Sequence, residues 1–136
     1  MQTSLVLKQA HLDSMTRHVA ERAPLEACGL LAGREGRVES VIEMENADQS
    51  HAHFRMDALA QLRAFEWIEA RGLDLVGIFH SHPAGPEAVS PTDIAEAAYA
   101  VVHIVLSRPH GEQSEWQARG FLIESGRAVE APLIVE

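Results

Sequence analysis

Leu75-Val76-Gly77-Ile78-Phe79-His80-Ser81-His82-Pro83, six further residues, then Ser90-Pro91-Thr92-Asp93: this stretch decides how the chain reads. The apolar run 75–79 reads as a buried strand closed on its far side by a proline. Residues two apart on a strand share a face, so His80 and His82 can point at one ion. Pro83 has no N–H for a sheet ladder, and the chain leaves the sheet there. Ser90 reads as a helix N-cap and Pro91 as the first helical residue, with Asp93 in the first turn. Two histidines and one carboxylate, with a fourth position left to water, are what a catalytic zinc site requires. Each piece also has an ordinary reading. Ser90-x-x-Asp93 is a capping box, and a strand-end His-x-His is often only hydrogen-bonded. The pieces together, at this spacing and after this strand, carry the metal reading.

Upstream, 5–7 reads as a first strand, and Leu12, Met15, Val19 and Ala23 form a helical stripe over 9–22 that Pro24 ends. His11 and His18, beside that stripe, are expected at the surface or rim. Strand 27–32, the turn 33–36 and strand 37–45 follow as a hairpin, the second strand on the edge side. Glu26 then stands at the start of a core strand, where a polar side chain can face a cleft. The irregular segment 46–56 holds a second pair, His51-x-His53, the chief competitor for the metal. No buried strand leads into it and no motif partner follows, so it is read as a rim loop. Asp57 caps a helix running to 70 with Leu59, Leu62, Phe65 and Ile68 spaced at three, Trp67 off the stripe and Gly72 as a left-handed cap.

Downstream, a helix over 91–99 precedes a buried strand 101–106 that contains His103, read as a satisfied core histidine. A turn-rich loop 107–114 and two closing strands, 116–124 and 127–135, complete the chain. Strands separated by three helices give an α/β sandwich with a mixed sheet.

At 136 residues the chain reads as one domain, 1–136, able to bury a single core. No apolar run approaches the roughly 20 residues that span a bilayer, and 1–8 lacks a secretory leader pattern. A single cysteine, Cys28, excludes an internal disulfide and fits a reducing cytoplasm. It is read as a small buried hydrophobe, not a nucleophile. A net charge of −9 with one lysine, Lys8, argues against a nucleic-acid partner.

His80-Ser81-His82-Pro83 and Ser90-x-x-Asp93, together with Glu26-Ala27-Cys28-Gly29-Leu30-Leu31, resemble the signature of the JAMM (MPN-plus) metalloproteases over nearly the whole chain. The resemblance implies a cytidine-deaminase-like α/β/α three-layer sandwich. It also implies one Zn²⁺ per chain on His80, His82 and Asp93, Glu26 as general acid/base, and Ser90 supporting the oxyanion. Relatives of this kind cleave ubiquitin-like proteins, including prokaryotic sulfur carriers, and a compact chain is most similar to the type acting at a C-terminal Gly-Gly. Two alternatives stay open: a non-catalytic MPN-type interaction module, and a RadC-like DNA-repair-associated domain with the same His-x-His-Pro spacing. A zinc nucleoside deaminase is excluded, since its Pro-Cys-x-x-Cys ligands cannot be built from one cysteine.

Overall fold

The computed structural model describes residues 3–136; Met1 and Gln2, part of the stretch read for a leader, lie outside them. The elements run β1 (Leu5–Leu7), α1 (Gln9–Arg22), β2 (Cys28–Arg34), β3 (Arg37–Met44), α2 (Ala58–Ala70), β4 (Asp74–His82), α3 (Pro91–Glu96), β5 (Val102–Ser107), β6 (Gln117–Glu124), β7 (Arg127–Ala131) and β8 (Leu133–Val135). The strands form one mixed sheet of eight in the order β7-β6-β5-β4-β2-β3-β1-β8. Its antiparallel hairpins turn where backbones can go left-handed, at Glu35-Gly36 and Ser125-Gly126. β4 and β5 run parallel through α3, so the chain leaves the carboxyl end of β4 beside the His-x-His pair.

Alternation along the central strands builds two cores on opposite faces. Leu31 and Phe79 pack with Met15 and Val19 of α1, whereas Leu30 and Ile78 pack with Ala64 and Ala60 of α2. Helices therefore cover both faces, giving the three layers expected. The approach of the strands depends on Gly29: a Cβ there would lie 2.2 Å from the Phe79 ring.

The structure departs from the sequence reading at several points. α2 buries Ala64 and Ile68, while Leu59 and Leu62 are exposed. A strict spacing of three drifts by about 60° per step around the helix, so Leu59 and Ile68 end on opposite sides; steps of four hold one face. His18 is buried, not at the rim: its Nε2–H donates to the Cys28 carbonyl at 3.1 Å and its ring meets Phe79 edge-on. α3 stops at Glu96, and the Tyr99 ring packs on Phe65 of α2. The last strand divides at Pro132. β7 stays on β6, and β8 pairs in parallel with β1 at the other end of the strand order. One proline thus separates the two ends of the sheet, which is curled and not flat.

Candidate active site

The site gathers at the carboxyl end of β4. His80 and His82 sit on the face toward α2, with Ser81 between them pointing away, and all three are buried. The Ser81 hydroxyl accepts from the Ala27 N–H at 2.8 Å, and Ser81 N–H donates to the Ala27 carbonyl at 2.9 Å. That double clamp fixes the segment before β2 and leaves Glu26, 4% exposed, with Oε2 3.8 Å from His82 Nε2.

Ser90 and Asp93 form the capping box that starts α3. Ser90 Oγ accepts from Asp93 N–H at 3.0 Å, and Ser90 N–H donates to Asp93 Oδ2 at 2.8 Å. The same Oδ2 lies 3.1 Å from His80 Nε2 and 3.2 Å from His82 Nε2, and the two Nε2 atoms are 3.1 Å apart. Capping and convergence are thus one structure. The helix start aims the carboxylate at the histidines.

Bonds of about 2.0–2.1 Å at tetrahedral angles place zinc ligands roughly 3.3 Å apart. The three atoms of His80, His82 and Asp93 match the face of such a tetrahedron, so the donor set fits a divalent cation. Glu26, His80 and His82 form an overlapping group whose ligand atoms lie within 4.8 Å of one another. Of the two sets the first is tighter, and Glu26 stands back from it. His82 carries its support: Nδ1–H donates to the Pro86 carbonyl at 2.9 Å, which leaves Nε2 to face the cluster.

Burial drives the ionisation of these groups in different directions. It raises the Glu26 carboxyl to about 7, with His82 pulling down and Asp93 pushing up. Burial would also raise Asp93, but hydrogen bonds from His80 and His82 overturn it and hold that carboxyl far below its ordinary range. His80 is lowered by complete burial, and burial with the neighbouring His80 takes His103 down to about 4. The Cys28 thiol is pushed up to about 12 by burial, Glu45 and Glu26, so it is neither thiolate nucleophile nor ready ligand.

The second His-x-His pair stays apart from the cluster. His51 is exposed, and His53 lies 3.2 Å from Asp48 through Nδ1 with about half its side chain in solvent. Its loop nevertheless builds the site. The Asn46 amide donates to the carbonyls of Glu26 and His53, each at 3.0 Å, while its oxygen accepts from Asp48 and Arg55 N–H at 3.1 Å. Phe54 is thereby laid on the His80 ring, with centroids 4.7 Å apart. Phe54, Met56, Ile78, Tyr99 and His103 line a cavity of about 300 Å³ that reaches His80 and Asp93. Sequence reading passed over Ser81, Asn46 and Phe54. Only the alternation that turns Ser81 to the face opposite the histidines could have pointed to any of them.

Helices on both faces of a mixed sheet, and a buried two-histidine, two-carboxylate cluster at a parallel strand's carboxyl end, define the JAB-type α/β class. The family described as prokaryotic homologs of the JAB domain matches residues 8–119. The chain is 36% identical over 126 residues to a probable TtuB-protein conjugate cleaving protease of Thermus thermophilus, covering 92% of this chain and 80% of that one. It is 32% identical over 134 residues to a desampylase of Pyrococcus furiosus, at 98% and 92% coverage. A CysO-cysteine peptidase of Mycobacterium tuberculosis is 34% identical over 133 residues, at 96% and 90% coverage. Among solved structures, a Desulfitobacterium hafniense protein superposes with a TM-score of 0.86 at 34% identity, covering 97% of this chain and 92% of that one. A JAB1/MPN domain protein of Archaeoglobus fulgidus shares the fold, with a TM-score of 0.62 at 19% identity and coverages of 97% and 99%. The chain belongs to the prokaryotic branch of the JAMM/MPN-plus family.

Proposed function

We propose that this chain is a zinc-dependent peptidase of isopeptidase type. In this reading it hydrolyses the amide bond at the C-terminal Gly-Gly of a ubiquitin-like or sulfur-carrier protein. The observation that carries it is the meeting of His80 Nε2, His82 Nε2 and Asp93 Oδ2 within 3.2 Å of one another beside a buried Glu26. His80, His82 and Asp93 hold the ion, one zinc per chain. Bound there, zinc supplies a polarised carbonyl and a water acidified to a pKa of about 7.

The chain's own groups do the rest. Glu26, outside the ligand set and with its carboxyl raised to about 7, takes the proton of the attacking water and returns it to the leaving amine. The Ser90 hydroxyl accepts from Asp93 N–H, so its own hydrogen is available to the oxygen that becomes negative on attack. A donor of that kind is commonly worth about 3–4 kcal/mol in the transition state. Related chains named as a TtuB-conjugate protease, a desampylase and a CysO-cysteine peptidase support a protein-conjugate substrate. The complete donor set weighs against a non-catalytic module, and the net charge of −9 weighs against a DNA-associated role. No helix among the described residues is long and apolar enough to cross a membrane, in keeping with the cytoplasmic setting inferred from Cys28.

The test is cleavage of a ubiquitin-like or sulfur-carrier protein extended beyond its Gly-Gly, with zinc, with a chelator, and with Glu26→Gln. Zinc-dependent cleavage that falls about 10²- to 10⁴-fold in the variant, with the metal retained, is the expected result. Near-parental rates in Glu26→Gln would exclude its acid/base role.

A further inference from the structure

Two buried histidine nitrogens beside the site lack a partner. His80 Nδ1 and His103 Nε2 have no hydrogen-bond partner among the described side chains and backbone. Both residues line the same cavity of about 300 Å³. They lie on adjacent parallel strands whose register sets Ile78 beside His103 and His80 beside Val105. Ile78 and His80 share a face, so His103 is a diagonal neighbour of His80 on that face.

The protons of the two rings are complementary. When His80 Nε2 binds the metal, the hydrogen of the neutral imidazole sits on Nδ1, which makes that atom a donor. The Tyr99 backbone favours a proton on His103; with Nε2 unpartnered, we assign that proton to Nδ1, which leaves Nε2 as an acceptor. A donor and an acceptor thus lie on two residues that line one cavity with room for water. The other histidine shows the contrast: His82 already donates its outer N–H to Pro86. Metal-binding histidines almost always have such a partner, and His80 has none within the chain's direct reach.

We propose that His103 is a positioning residue for the metal site: through one water in the cavity, His103 Nε2 accepts from His80 Nδ1–H and holds His80 in its metal-binding tautomer. This rests on the ligand assignment made above. The experiment is zinc affinity of the full chain by competition with a chromophoric chelator, in the parent, His103→Phe and His103→Gln. His103→Phe is expected to weaken zinc about 10- to 100-fold, and His103→Gln, whose amide oxygen can accept, to recover most of that loss. A folded His103→Phe with parental affinity overturns the inference, as does equal weakening in both variants. Unchanged affinity with a raised KM also overturns it, by making His103 a substrate contact. A parent that binds no zinc breaks the ligand assignment as well, which separates the two failures. Should His103→Phe not fold, imidazole ¹⁵N shifts of the zinc-loaded parent decide. A protonated Nδ1 on His80 with a bare Nε2 on His103 is expected, and a protonated His103 Nε2 overturns it.

Discussion

Two His-x-His pairs occur in this chain, and only one brings both its rings into a buried cluster. His80 and His82 end a strand buried along nearly its whole length, and their Nε2 atoms are 3.1 Å apart with a carboxylate oxygen completing the triangle. His51 and His53 lie in a loop, one exposed and the other turned toward Asp48. The motif is identical and the support beneath it is not. A pleated strand sets i and i+2 on one face, and a capped helix start delivers the third donor. The loop pair has neither. Its segment contributes through Asn46 and Phe54, which order the Glu26 backbone and cover His80.

The largest effect that would break this contrast lies at the strand pair. His80→Ala or His82→Ala is expected to drop bound zinc from about one per chain to near none, and turnover with it. Elemental analysis after desalting reads it; full zinc retained in both variants would move the site elsewhere.

A smaller, pH-dependent effect concerns Glu26 in the metal-free protein. Burial holds this carboxyl at about 7 against an ordinary 4.5, so the folded state binds the proton more tightly than the unfolded one. Ionisation then costs stability as pH rises from about 4.5 to about 7, and the cost is fully present above that. Glu26→Gln cannot ionise, so with chelator present its melting temperature should gain on the parent's by several °C between pH 4 and pH 8. A difference that stays flat across that range would deny the buried, proton-holding environment. The smallest expected effect is none at all: His51→Ala and His53→Ala should leave zinc content unchanged. Metal lost in either would erase the distinction between the two pairs.

The strand-turn-helix frame was legible in the sequence because its signals are local: an apolar run, a proline, a cap. Those signals brought His80, His82, Ser90 and Asp93 to one place, and Glu26 followed from the resemblance and its position before β2. What stayed hidden depends on tertiary contact. Asn46 sits in a polar loop whose hydrogen bonds run to Glu26, twenty residues earlier in the chain. The burial of His18 follows from a carbonyl on β2, and the division of the last strand follows from a β1 edge that accepts β8. Over 58–70, a spacing of three imitated a stripe that the helix could not keep on one face. His103 read as a satisfied core residue, yet one of its nitrogens remains unpartnered beside His80.

The central claim is that Asp93, and not Glu26, completes the ligand set. Zinc per chain measured side by side in Asp93→Ala and Glu26→Gln tests it most directly. The account predicts about one zinc in Glu26→Gln and close to none in Asp93→Ala. Zinc kept in Asp93→Ala and lost in Glu26→Gln would contradict it and make Glu26, His80 and His82 the ligands.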